Sequence, residues 1–172
     1  MPATGVIAGS YTGSFGGNLI GLVEDGFTLD YSFSYENIIA DNLGDTVQDG
    51  IYRGGNCFIS CVFLQASASA VIEAIAPFVI VGGGDLEDMG KVGVIGQTTF
   101  AASALLSLAA IASTPASNAP VTFRADKAII APGFNVRIQY ATRVRRIPMR
   151  FQLLPYEGGT PSEQRWFEQI VT

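Results

Sequence analysis

Phe27-Thr28-Leu29-Asp30-Tyr31-Ser32-Phe33-Ser34-Tyr35-Glu36 decides the fold class of this chain. Every odd position holds a large apolar side chain and every even position a polar one. Successive side chains of an extended strand point to opposite faces, so this period of two describes a strand with one buried and one wet face. Downstream, Asp41-Asn42-Leu43-Gly44-Asp45-Thr46-Val47-Gln48-Asp49-Gly50 reads as a polar loop, since turn-forming residues recur throughout it. The extended pattern resumes over Ile51 to Leu64, and from Cys57 both parities turn apolar, which predicts burial on both sides.

The rest of the chain repeats the theme. Ala66 to Ala76 is alanine-rich, with Val71, Ile72 and Ile75 at helical spacing, and it stops at Pro77, so a short helix packed on a sheet is expected there. In Thr98 to Ser113 the alanines and leucines favour helix, whereas the flanking Gly96 and Pro115 favour strand, and strand is the preferred reading. Val121 to Ala131 reads as a strand ended by Pro132-Gly133. Phe134 to Val144 alternates again, with arginines on its polar parity. The apolar parity then flips to Ile147, Met149, Phe151 and Leu153, as happens across a β-bulge. Residues 1–21, uncharged and rich in Gly, Ser and Thr, read as an irregular N-terminal arm. Residues 157–172 read as a C-terminal tail carrying Trp166-Phe167.

The totals agree with one domain over residues 1–172: a chain of 172 residues with 48% hydrophobic and 15% charged residues can build a core and lies outside the disordered range. There is no histidine, which removes His-based triads and imidazole metal ligands. Cys57 and Cys61 are the only thiols; four positions apart on a strand they stand ~13 Å apart, too far for a disulfide, and they are expected as reduced core residues. A secretory signal and a membrane-spanning run are both absent from this reading, which expects no membrane partner.

The candidate sites weigh against an enzyme. Gly82-Gly83-Gly84 is followed by Asp85, Glu87 and Asp88, acids that would repel phosphate and that lack the spacing of a calcium loop. No catalytic, cofactor-binding or metal-ligating set emerges. Charge, however, is unevenly placed. Residues 1–90 hold eleven acids and one base, residues 91–172 four acids and nine bases. The acids Asp41, Asp45 and Asp49 recur in one loop, and Arg143, Arg145, Arg146 and Arg150 form the basic cluster. These seven residues are the candidate contacts between copies, an acidic face on one meeting a basic face on the next.

Three segments together resemble the tail tube proteins of tailed phages: Phe27 to Tyr35 with the Gly-Asp-Thr turn and Asp-Gly step at Gly44-Asp45-Thr46 and Asp49-Gly50; Lys127-Ala128-Ile129-Ile130-Ala131-Pro132-Gly133; and Arg145-Arg146-Ile147-Pro148-Met149-Arg150-Phe151-Gln152-Leu153-Leu154-Pro155-Tyr156. The resemblance spans roughly residues 22–156. It implies a mainly β chain with a β-sandwich or barrel-like core and one short flanking α-helix. It also implies homohexameric rings whose inner strands continue into one tubular sheet and which stack into a hollow tube. The loop Asp41 to Gly50 and the N-terminal arm would then bridge successive rings. The partners so implied are other copies, further tail proteins (sheath or terminator, baseplate), and phage DNA that passes through the lumen without specific binding. The implied location is the virion tail, assembled in the host cytoplasm. Another ring-forming virion component, such as a tail terminator or baseplate hub, and a β-sandwich binding module are the competing readings.

Overall fold

A computed structural model describes residues 11–39, 47–64, 69–78, 93–110, 121–137, 146–155 and 164–171. The described strands are β1 (Tyr11–Phe15), β2 (Asn18–Leu19), β3 (Val23–Ile39), β4 (Val47–Phe63), β5 (Ala104–Ala110), β6 (Val121–Ile130), β7 (Ile147–Leu153) and β8 (Glu168–Val171), with helices α1 (Ser69–Ile75) and α2 (Thr99–Ala102). All strands belong to one antiparallel sheet in the order β2-β1-β5-β6-β7-β4-β3, with β8 beside β6. The chain is therefore mainly β with short flanking helices, as its alternating segments imply.

The sheet curls until its two ends meet over the core. Phe15 on β1 lies 5.1 Å, ring to ring, from Phe151 on β7, although β5 and β6 separate those strands in the sheet. A Cβ placed on Gly13 of β1 would come within 2.8 Å of Phe27 on β3, at the opposite end of the strand order. This is the barrel-like core expected, and it closes on a single apolar face. Cys57, Ile59, Cys61 and Phe63 of β4 face Leu153, Phe151, Met149 and Ile147 of β7 in register, and all are buried. Helix α1 seals the same face with Ala70, Val71 and Ala74.

Several boundaries differ from the sequence reading. Residues 1–21 are not wholly an arm: Tyr11–Phe15 and Asn18–Leu19 form a hairpin that joins the sheet through β5. Its turn uses Gly16 and Gly17, both at positive φ, and its charge-free Ser/Thr/Gly composition hides the strand because only Phe15 is large and buried. The loop Asp41 to Gly50 is shorter than read, because Asp49 and Gly50 lie in β4, paired with Ile38 and Asn37. Both readings of Thr98 to Ser113 hold in part. Thr98 caps a turn of helix by accepting from the Ala101 amide at 3.2 Å, and the strand starts at Ala104.

Strand β4 is buried on one face only. Phe58, Ser60 and Val62 stay half-exposed, since no second layer covers them as fully as the core covers their neighbours. Phe134 to Arg137 adopt no strand, and the remainder of that alternating segment, with the parity flip after it, lies outside the described residues. The C-terminal tail also enters the sheet, for Glu168 to Val171 pair with Arg124 to Val121. Phe167 anchors it by stacking on Phe123 at 4.8 Å.

Candidate assembly interface

Strands β3 and β4 are 17 residues each and pair along their whole length. Among the described residues, only Cys57 to Phe63 of β4 has a second neighbour, β7. Beyond that point the hairpin has no further strand beside it, and β3 is an edge strand, among the described residues. Its amphipathic pattern continues into this outer part. Phe27 and Leu29 pack against the core, while Tyr31, Phe33 and Tyr35 on the same parity are 50%, 55% and 60% exposed. Tyr52, directly opposite Tyr35, is 53% exposed.

These rings form a ladder. Tyr31 stacks near Phe33 at 6.3 Å, Phe33 meets Tyr52 at 6.3 Å, and Tyr52 meets Tyr35 edge-on at 6.0 Å. Trp166 and Phe167 roof its inner end, 6.4 Å from Phe33 and 5.9 Å from Tyr31. Ile39 and Val47 add exposed aliphatic surface toward the tip, whereas the exposed Ile38 and Ile51 share the opposite face with Glu36. The expectation of one fully buried face on this strand therefore fails in the single chain, because the residues meant to be covered outrun the core. Contiguous exposed apolar surface rimmed by polar residues marks a contact site. An unpaired strand edge beside it adds backbone donors and acceptors to the same surface.

The opposite face is polar. Its rows run Thr28–Ser60–Arg150, Asp30–Phe58–Gln152 and Ser32–Asn56 across β3, β4 and β7. Arg150 lies over the Phe58 ring at 4.3 Å. Glu36 pairs with Arg53, and Glu24 with Arg146 at 2.7 Å. A shallow depression at the base of this face is lined by Glu24, Thr28, Ser60, Pro148 and Arg150 among others.

Of the seven charged candidates, Asp49, Arg146 and Arg150 lie among the described residues. Asp49 sits near the hairpin tip, with its carboxylate accepting from the Gly50 amide at 2.7 Å. Arg146 is engaged within its own chain by Glu24, and Arg150 lies on the polar face of β7. Asp41, Asp45, Arg143 and Arg145 lie outside the described residues. What the charge pattern missed is the aromatic ladder. Its signal was present in the sequence, since an alternation carried through Tyr35 is longer than a small core can cover. Both thiols are buried and unpaired, and burial pushes Cys57 up to about 11 and Cys61 up to about 12. They are core residues, not reactive groups.

No family model matches the chain, and no curated protein matches it. Among solved structures the chain is similar to one from the extended-state sheath–tube complex of PVC, an extracellular contractile injection system. The likeness covers 99% of this chain and 95% of that one, with a TM-score of 0.50 and 9% sequence identity. At that identity the likeness is one of fold. The curled antiparallel sheet with a short flanking helix is a fold that occurs in an extracellular contractile injection system.

Proposed function

We propose that this chain is a non-catalytic structural subunit that assembles with copies of itself into stacked hexameric rings of a hollow tail tube, as in a tailed phage or a related contractile particle. The observation that carries the reading is the β3–β4 hairpin, whose ladder of Tyr31, Phe33, Tyr35 and Tyr52 stays exposed in the isolated chain. A second copy that covers the ladder and pairs with the β3 edge removes both liabilities at once. The likeness to a chain of a sheath–tube complex supports the same reading.

In this reading Asp41, Asp45 and Asp49 contribute contacts to the next ring, and Arg143, Arg145, Arg146 and Arg150 contribute contacts between copies. Sheath or terminator and baseplate proteins are the further partners, and DNA passes through the lumen without specific binding. The test is the size of the purified chain as its concentration rises. Growth into tubes supports the proposal, single closed rings that never stack point to a terminator or hub, and a chain that stays monomeric in the presence of tail-assembly partners sinks it.

A further inference from the structure

We propose that Asp25-Gly26 is a modification site, at which the Asp25 carboxyl closes on the Gly26 amide to a succinimide that opens to isoaspartate. The proposal goes beyond the tube reading and does not depend on it. Asp-Gly is the dipeptide in which this closure meets least steric resistance, because glycine puts no side chain beside the attacking nitrogen. The chain holds two such pairs, Asp25-Gly26 and Asp49-Gly50. The fold treats them differently.

Asp25 and Gly26 form a bulge in β3. Glu24 stands opposite Val62 and Phe27 opposite Cys61, which are adjacent on β4, so the two residues between have no partner in the register. Both are exposed, and a Cβ on Gly26 would meet nothing within 4 Å. Asp25 stands at φ 57°, the one non-glycine residue in the left-handed region among the described residues, and Gly26 at φ 75°. Aspartate visits that conformation more readily than most residues, yet at a cost in strain. Asp49 and Gly50 lie in the ladder, opposite Ile38 and Asn37. There the Gly50 amide donates to Asp49 Oδ1 at 2.7 Å. A nitrogen so directed faces the carboxylate oxygen and not the carbon it must attack, and strand pairing resists the rotation about Cα–C that would realign it.

In the closure the Gly26 nitrogen bonds to Cγ of the protonated Asp25 carboxyl, and the amide proton and carboxyl hydroxyl leave as one water. Water then adds to the ring at either carbonyl. Breaking the bond from nitrogen to Cγ restores aspartate. Breaking the bond from nitrogen to the main-chain carbonyl carbon gives isoaspartate, whose main chain runs through the side-chain methylene. The water lost is regained, so composition and mass are unchanged and neither oxidant nor cofactor takes part. The added main-chain bond releases the left-handed strain at Asp25.

Ageing the purified chain, kept dilute at neutral pH, beside the same chain in urea tests this. Each sample is then unfolded and digested with an endoprotease that cuts before aspartate but not before isoaspartate, and mass spectrometry reads the cuts lost at positions 25 and 49. In the folded chain, loss at Asp25 should outrun loss at Asp49 by about tenfold or more. In urea the two rates should agree within about threefold, because the dipeptides are the same and the fold is gone. Comparable loss at both sites of the folded chain, or none at Asp25, would overturn the proposal. A preference for Asp25 that persists in urea would assign the reaction to neighbouring sequence and overturn the role of the bulge. The aged, folded chain should also accept methyl groups from an isoaspartyl carboxyl methyltransferase. Asp25→Gly, which suits the positive φ and removes the carboxyl, should accept at least about fivefold fewer. An undiminished signal in that variant would place the isoaspartate elsewhere and overturn the assignment.

Discussion

Gly16 shows at the residue scale why the N-terminal segment folds onto the sheet. It turns the β1–β2 hairpin at φ 58°, and the Glu73 carboxylate of α1 occupies the space where a Cβ would stand. Asn18 donates to the same carboxylate at 3.1 Å, so the turn and the helix lock together. Gly16→Ala forces a left-handed backbone on a residue with a Cβ and displaces the flexible Glu73 carboxylate; the backbone strain should cost about 1–3 kcal/mol, measured by urea unfolding of the monomer. A loss below a few tenths would mean that the turn does not hold α1. The thiols supply a second residue-scale test. Burial raises Cys57 and Cys61, so the folded state holds their protons where the unfolded chain releases them. The stability this supports is fully present below about pH 9 and is lost as the pH climbs through about 11 to 12. The urea midpoint of the wild-type chain should fall across that window, and the fall should shrink in Cys61→Ala. A thiol reagent at pH 8 should find no reactive cysteine until the chain unfolds.

At the scale of elements, the hairpin separates folding from assembly. The base of β3 packs on the core through Phe27 and Leu29, whereas Tyr35 and Tyr52 meet each other and the half-exposed Phe33. Tyr35→Ser combined with Tyr52→Ser should therefore leave the unfolding midpoint within about 1 kcal/mol of wild type, as for exposed sites away from the core. The same pair should raise the concentration needed for assembly at least tenfold, read by light scattering. Unchanged assembly would show that the ladder is not an interface.

This division also explains what the sequence revealed. The amphipathic segments Phe27 to Tyr35 and Ile147 to Leu153, the helix at Ser69–Ile75 and the stop at Pro132-Gly133 could be read directly, because each carries a period or a breaker set by local geometry. The β1–β2 hairpin and β8 could not. Their strands are short and mostly polar, and they are held by distant partners: Phe15 against Phe151, and Phe167 against Phe123. The extent of β4 was also obscured, since Asp49-Gly50 is turn chemistry that pairing with β3 overrides. For the candidate site, alternation marked β3 as two-faced but could not say that its outer half lacks a cover, which depends on where β7 ends.

On the scale of the whole molecule, the charge division between the two halves of the chain is partly spent inside it. Glu24 and Arg146, 122 positions apart, meet across β3 and the entry to β7. The acid-to-base contact proposed between copies must then draw on the rest of the cluster, and Arg145→Glu should weaken assembly at low salt with the monomer's unfolding midpoint unchanged. Normal tube formation by that variant at low salt would remove the cluster from the interface.

The central claim is that the exposed hairpin exists to be covered by further copies in a stacked tube. Its most direct test is negative-stain microscopy of the purified chain, taken alongside light scattering as concentration rises. The account predicts hollow tubes of constant diameter with a regular axial repeat, built from rings with sixfold symmetry in end views. A chain that remains monomeric at every concentration, with its aromatic hairpin still exposed and no partner able to recruit it into a tube, would contradict it.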